Sequence, residues 1–200
     1  LSESFSRSTL PENIKYLMES MLPIGKKYND ITEQAATNVL NHMERGLQLS
    51  FTRSYRKQGS VMTDTNIKQY SDIDLLSIIT GYSFLAPALC PPQSPYQGVP
   101  ESDIELIRRQ ATEILKRQYD DVDDSGTKSI SIFNKNLKRK VDVVFAFWYN
   151  TVEDETNDNE YYRGIYLYDF TSQVKQLDFP FAHIANVNYK GDNTAGGSKR

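Results

Sequence analysis

Two short motifs carry most of the information in this sequence: Gln58-Gly59-Ser60 and, after eleven intervening residues, Asp72-Ile73-Asp74-Leu75. We predict that residues 71–79 form a β-strand. Alternation then places the two aspartates on one face of the sheet and the isoleucine and leucine on the other. Adjacent carboxylates repel each other unless a cation lies between them, and Mg²⁺ or Mn²⁺ prefers such hard oxygen ligands. The second motif therefore predicts a divalent-metal site.

The first motif and a distant aspartate complete the predicted site. The backbone N–H groups of a tight Gly59-Ser60 bend can hold phosphate oxygens. Asp142 is the single acid in the strand-like run Lys140-Val141-Asp142-Val143-Val144-Phe145. Three aspartates on two neighbouring strands can hold the paired ions of a phosphoryl or nucleotidyl transferase. The simpler alternative is that Asp72 and Asp74 are solvated side chains on an edge strand.

Composition limits the class of protein. The 200 residues carry a net charge of -3 and a single cysteine, Cys90, which excludes an intrachain disulfide and a thiolate zinc site. No apolar run approaches the ~20 residues that span a bilayer, and the first residues lack a signal-peptide pattern. We therefore expect no membrane partner and a cytoplasmic protein. The mild acidity argues against duplex nucleic acid as a ligand, because duplex binding requires a basic excess.

Nucleotides need only local positive charge, and several basic residues flank the motifs. Most of them are expected to be solvated ends of strands rather than ligand contacts. They are Arg53, Arg56, Lys57, Lys138, Arg139, Lys140, Lys190, Lys199 and Arg200.

The remaining chain predicts alternating helices and strands. We expect helices from Thr9, from about Asp30 to Leu49, and from a capping box at Ser102-Asp103-Ile104-Glu105. Strands are expected at 51–57, 72–80, 129–133, 141–149 and 161–170, with the third and fourth paired across a basic turn. Five prolines favour an irregular insertion or flap over residues 81–100. Residues 153–159 are expected to be an exposed connection.

Taken together, these motifs resemble the DNA polymerase β-like nucleotidyltransferases, and within them the bacterial cGAS/DncV-like group, the CD-NTases. The resemblance rests on the two motifs above with Tyr70-Ser71, on the Asp142 strand, on Gly164-Ile165-Tyr166, and on Pro180-Phe181-Ala182-His183-Ile184 leading to Asn188 and the Gly-rich Lys-Arg end.

The resemblance implies an α+β fold, with a mixed twisted sheet, helices packed on one face, and long N-terminal helices before it. It implies N-terminal helices in 1–50 that pack on the core, a catalytic core in 51–190, and in 191–200 the start of a C-terminal helical lobe that this chain lacks.

The same resemblance implies roles for individual residues. Asp72, Asp74 and Asp142 would be catalytic and would bind two Mg²⁺ or Mn²⁺ ions, with Asp142 helping to activate the attacking hydroxyl. Gln58, Gly59, Ser60 and Lys199 would bind the nucleotide.

The implied function is synthesis of a cyclic oligonucleotide second messenger in antiphage defence, from ATP, GTP or pyrimidine triphosphates, with a possible regulatory protein partner. Two alternatives use the same motifs: a nucleotidyltransferase toxin that modifies tRNA or protein, and a non-catalytic nucleotide-sensing module of the same fold.

Overall fold

A computed structural model describes residues 9–20, 24–63, 65, 73–89, 98–157 and 159–193. The helices are α1 (Glu12–Ser20), α2 (Lys26–Gly46), α3 (Pro100–Gln118), α4 (Val152–Asn157) and α5 (Pro180–Asn193), with a 3₁₀ helix at Glu160–Tyr162. The strands are β1 (Arg53–Gln58), β2 (Ile73–Leu85), β3 (Val122–Asp123), β4 (Ser129–Asn134), β5 (Arg139–Asn150), β6 (Gly164–Asp169) and β7 (Val174–Asp178).

The seven strands form one mixed sheet with β5 at its centre. The order is β1-β2-β5-β4-β3, and β6 pairs with the second half of β5 and with β7. β2 and β5 are parallel, whereas the other pairs are antiparallel. The predicted pairing of residues 129–133 with 141–149 is confirmed.

The larger hydrophobic core lies between one face of this sheet and the helices α2 and α3. Alternate residues of β2 and β5, among them Ile73, Leu75 and Val143, are almost fully buried there. α2 contributes Ala35, Ala36, Val39 and Met43, and α3 contributes Ile104, Ile107, Ala111 and Leu115. The other residues of the central strands therefore point to the opposite face.

A smaller cluster lies on that opposite face. Leu76, Ile78, Ala146, Trp148 and Ile165 form it, and Phe181 of α5 packs against it. Helical contact is thus present on both sides of the mixed sheet, with α2 and α3 on one side and α5 on the other.

The prediction of an irregular flap from residue 81 is wrong for residues 81–85. β2 continues to Leu85, after a register shift between Ile79 and Ser83. Gly81, at φ 69°, occupies the shift in a conformation that favours glycine. Beyond it, Tyr82 and Phe84 pack edge-to-face on each other and on Phe147. Aromatic packing therefore keeps this segment in the sheet. Residues 90–97, including Cys90, lie outside the described part of the chain.

One further expectation is corrected and one is refined. α3 begins at Pro100 rather than at the Ser102 capping box, because a proline at the first helical position has a suitable φ and needs no N–H partner. Residues 152–157 form helix α4 within the expected connection, and most of the described side chains of this helix are exposed as expected. Asp154 of α4 has a side chain only 12% exposed, 3.7 Å from Arg163. Within the described residues, no helix combines the length and the apolar character that crossing a membrane requires.

Candidate functional site

Asp74 and Asp142 lie side by side on the sheet face opposite the larger core. Asp74 is the register partner of Asp142 in the parallel β2–β5 pair. Their strand neighbours Ile73, Leu75, Val141 and Val143 are all buried in the larger core. The two carboxylates must therefore share the other face, on strands about 4.8 Å apart. The structure brings these two predicted residues together, while their catalytic role stays a prediction.

The Asp142 carboxylate is held at one oxygen only. Its Oδ2 accepts a hydrogen bond from Lys140 Nζ at 2.8 Å. Its Oδ1 is buried and has no hydrogen-bond partner among the described residues. The side chain as a whole is 14% exposed. A buried carboxylate oxygen without a donor suits a cation, because an unpaired charge in such a position is costly.

Gln58, Gly59 and Ser60 lie beside this pair. Gln58, the last residue of β1, is the register partner of Asp74. Gly59 has φ 103°, in the region that only glycine enters at little cost. The carbonyl oxygen of Gly59 accepts from the N–H of Met62 at 3.0 Å, and that of Ser60 accepts from the N–H of Thr65 at 3.1 Å. The chain therefore turns tightly next to the carboxylates.

Two predicted site residues cannot be placed. Asp72 and Lys199 lie outside the described residues, so only two of the three predicted carboxylates are described. Among the described residues there is no group of three acidic, histidine or cysteine side chains that could hold a metal. The donors that are described, two adjacent carboxylates with one unpaired buried oxygen, fit a hard divalent cation.

Several of the basic residues that flank the motifs form ion pairs or ring contacts with other residues of the protein. These ion pairs join Arg53 to Glu44, Arg56 to Glu160, Lys57 to Glu33 and Lys140 to Asp142. Arg139 stacks on Tyr28, with 3.6 Å from its guanidinium carbon to the ring centroid, and donates to Thr32 Oγ1. Among these contacts, that of Lys140 involves a predicted site carboxylate, the one of Asp142.

Sequence reasoning missed a group of side chains that pack on the same sheet face as the carboxylates. Trp148 lies further along β5 on the same face, and its ring is 5.6 Å from that of Phe181. The Arg163 guanidinium carbon lies 3.9 Å from the Trp148 ring centroid. Arg163 also donates to Asn150 Oδ1 at 2.9 Å. Trp148 follows Asp142 by three strand alternations, so the two side chains lie on the same face. This single tryptophan was the signal in the sequence that apolar side chains also pack on that face.

A second missed contact ties β1 to the same region. Arg56 donates two hydrogen bonds to the Glu160 carboxylate, at 2.6 and 2.8 Å. These bonds raise the pKa of Arg56. Because Arg56 is two residues before Gln58 in β1, this bidentate pair anchors the strand that leads into the glycine bend.

The central parallel pair with facing aspartates, flanked by a glycine bend and backed by two helices, defines the class: this is the polymerase β-like nucleotidyltransferase fold. A solved structure of a STING-associated CdnE c-di-GMP synthase from Flavobacteriaceae sp. has this fold. It matches 96% of this chain and 59% of its own with a TM-score of 0.78 and 24% identity.

Curated relatives show which family of proteins the chain resembles in sequence. The cyclic dinucleotide synthase CdnE of Yersinia aleksiciae is 30% identical over 203 aligned positions, which cover 100% of this chain and 53% of that protein. A c-di-GMP synthase of a Lachnospiraceae bacterium (strain RUG226) is 31% identical over 213 positions, which cover 94% of this chain and 60% of that protein. No protein-family model matches the chain. The resemblance of the chain to the bacterial cGAS/DncV-like nucleotidyltransferases, the CD-NTases, is therefore confirmed. The chain spans little more than half the length of these curated relatives.

Proposed function

We propose that the protein is a metal-dependent nucleotidyltransferase that joins two nucleoside triphosphates into a cyclic dinucleotide in two transfers and releases one pyrophosphate in each. The observation that carries the proposal is the Asp74–Asp142 pair beside the Gly59 bend. The two relatives described above, named as cyclic dinucleotide and c-di-GMP synthases, support the choice of product class. Bacterial antiphage signalling is the proposed setting.

In this proposal the chain's own residues place the two substrates. The backbone N–H groups of the bend at Gly59 and Ser60 bind the donor triphosphate, because a tight turn of this kind concentrates donors for phosphate oxygens. The acceptor's ribose hydroxyl oxygen bonds to the donor's α-phosphorus, and the bond between the α- and β-phosphates breaks. Pyrophosphate leaves, and the hydroxyl proton passes to bulk water. A second transfer, from a free ribose hydroxyl of the linear product to the α-phosphorus of its remaining triphosphate, closes the ring and releases a second pyrophosphate. Oδ1 of Asp142, the oxygen not engaged by Lys140, would bind a cation and so help to activate the attacking hydroxyl.

Enzymes of this family generally use divalent metal ions. Asp74 and Asp142, with Asp72, are the proposed ligands of two Mg²⁺ or Mn²⁺ ions. When bound, such ions neutralise the charge that develops on the attacking and leaving oxygens. Without a bound ion the two carboxylates repel each other, and the sheet holds them close together despite this repulsion.

The test is incubation of the full-length protein with α-³²P-labelled ATP, GTP, CTP or UTP and Mg²⁺ or Mn²⁺. Small, phosphatase-resistant labelled products are expected from the wild type and not from the Asp142→Asn variant. Label on added tRNA or protein would instead identify a toxin-like transferase. Absence of any transfer under all four nucleotides and both metals would favour a non-catalytic nucleotide-binding module.

A further inference from the structure

A cavity with a volume of about 340 Å³ lies between α2, the end of α3 and the turn that joins β4 to β5. This volume is within the range of ~300–1,000 Å³ that is usual for small-molecule sites in proteins. Among the residues that line the cavity are Asn38, His42, Tyr119 and Asn134. The cavity is therefore large enough for a small planar ligand.

The cavity lies on the helix side of the sheet, away from the site carboxylates. Asn134 is the last residue of β4 and is only 7% exposed. By strand alternation it shares a face with Ile130 and Ile132, which are buried in the larger core. Asp142 lies on the other face of the sheet, so the sheet separates it from an occupant of the cavity.

Asn134 brings a buried hydrogen-bond donor to this cavity. Its Oδ1 accepts from the N–H of Leu137 at 3.0 Å, so the turn engages the oxygen of the amide. Its Nδ2 forms no hydrogen bond with any residue in the described part of the chain. A buried donor without an acceptor is costly, and an acceptor on a ligand would remove that cost.

Asn38 repeats the arrangement on α2. Its Oδ1 accepts from Nε2 of Gln34 at 2.9 Å, and its Nδ2 has no partner among the described residues. In both asparagines the oxygen is therefore engaged and the nitrogen is available. A ligand that presents two acceptors complements this pair better than one that presents donors.

The rest of the lining favours an uncharged ring over an anion. The rings of His42 and Tyr119 contact each other edge-to-face, with centroids 5.6 Å apart, and supply flat aromatic surface. The charged lining residues are Asp120 and Lys135. These two pair with each other at 3.3 Å, with side chains 85% and 59% exposed, so their charges offset each other near the solvent.

We propose that this cavity binds a purine base of the guanine type, which carries neighbouring acceptors at O6 and N7. Nδ2 of Asn38 and Nδ2 of Asn134 donate to these acceptors, and the rings of His42 and Tyr119 contact the base. The site goes beyond the proposed function, because it lies across the sheet from the transfer chemistry. An occupant joins the β4–β5 turn to α2, and so fixes the start of the strand that carries Asp142.

Inosine and adenosine test the site, because they differ where the donors would act. O6 of inosine accepts a hydrogen bond, whereas the N6 amino group of adenosine donates one. Equilibrium dialysis of the full-length protein with each radiolabelled nucleoside, without metal, gives the two dissociation constants. Inosine is expected to bind about 10-fold more tightly or better, because adenosine sets a donor against a donor. Equal affinity for the two, or binding of neither, would overturn the proposal.

Asn134→Asp is the diagnostic variant, because it keeps the acceptor for the Leu137 N–H and removes the free donor. Asn38→Asp makes the same change at a half-buried position, and it decides the matter if Asn134→Asp does not fold by circular dichroism. Each should weaken inosine binding about 10-fold or more.

Asn41→Asp is the matched control, because Asn41 is an exposed residue of α2 that does not line the cavity. It should leave the dissociation constant of inosine unchanged. Wild-type affinity in the folded cavity variants, or an equal loss in Asn41→Asp, would contradict the site.

Two further measurements exclude other modes of binding. Asp142→Asn should bind inosine as the wild type does, and a loss there would mean that inosine occupies the transfer site instead. Displacement of inosine by inorganic phosphate would show that the donors take an anion, and would also overturn the proposal. Nucleotidyl transfer is measured separately, so a wild type that forms no product refutes the proposed function and leaves the inosine result intact.

Discussion

The two faces of the central sheet use the same alternation for different purposes. On the α2 and α3 side, Val141, Val143 and Phe145 of β5 are fully buried along the strand. On the other side, β5 begins with Lys140 and Asp142 and continues to Ala146 and Trp148 in the smaller cluster. The first face is therefore apolar along this part of β5, and the second changes from polar to apolar along the strand.

The difference between the two faces shows how the fold tolerates two carboxylates that lie close together. The larger core fixes β2 and β5 in register, so the positions of Asp74 and Asp142 do not depend on their own interactions. Hydrophobic burial on one face thus stabilises an unfavourable charge pair on the other. Substitutions on the two faces should accordingly change different measurements.

The largest expected effect is on stability, from Phe145→Ala on the apolar face. Removal of this fully buried ring should lower the free energy of unfolding by about 3–5 kcal/mol. Urea unfolding followed by circular dichroism measures it. Tyr189→Ala, at a residue 68% exposed, should stay within about 0.5 kcal/mol of the wild type. A loss below 1 kcal/mol for Phe145→Ala would mean that this face is not the main source of stability.

Next is Asp142→Asn on the polar face, which should separate activity from stability. Nucleotidyl transfer is expected to fall by about 100-fold or more, because one charge that faces the reacting groups is lost. The free energy of unfolding should change by less than about 1 kcal/mol, because repulsion from Asp74 and attraction to Lys140 are removed together. Initial rates and urea unfolding of the same preparation give both numbers.

Asp120→Asn provides the control for Asp142→Asn. The Asp120 side chain is 85% exposed, so the same chemical change should leave both rate and stability unaltered. If Asp142→Asn turned over substrate as fast as this control, the proposed role of Asp142 would be wrong.

A smaller effect is expected from a substitution in the bend that follows β1. Gly59→Ala places a side chain at φ 103° and should cost about 1–2 kcal/mol of stability, together with a higher KM for the donor triphosphate. Gly25 is a suitable comparison because its φ is -66° and a Cβ there would meet nothing within 4 Å. Gly25→Ala should be neutral or slightly stabilising. Equal destabilisation by the two changes would show that the bend does not require glycine.

The smallest expected effect concerns a carboxylate used for structure rather than for metal. Hydrogen bonds from the backbone N–H groups of Ser172 and Thr171 lower the pKa of Asp169, at the β6–β7 turn, from 3.8 to about 2. A depressed pKa stabilises the folded state above the unfolded value and loses this effect as the pH falls from about 4 to 2. Urea midpoints of the wild type and Asp169→Ala should therefore differ at pH 5 and converge towards pH 2. A difference that is constant over this range would contradict the assignment.

Local patterns predicted many elements but missed contacts that depend on distant residues. The β4–β5 hairpin followed from alternation and a basic turn between the strands. The end of β2 did not follow from local patterns, because the prolines further along the chain favoured a loop. The strand continues because Tyr82 and Phe84 pack on Phe147, which is more than 60 residues away. Helix α4 was missed for the same reason, since Asp154 is close to Arg163 of a later segment.

By itself the sequence determined the alternation that separates Asp74 from its buried neighbours, the glycine that the bend requires, and the single acid in the β5 strand. These are local properties, set by the two-residue period of a strand and by the steric limits on φ. Only the tertiary structure decided that Asp74 faces Asp142 across a parallel pair, and that Lys140 occupies one oxygen of Asp142. Strand order and register arise from packing between residues far apart in the chain, and no local pattern contains that information.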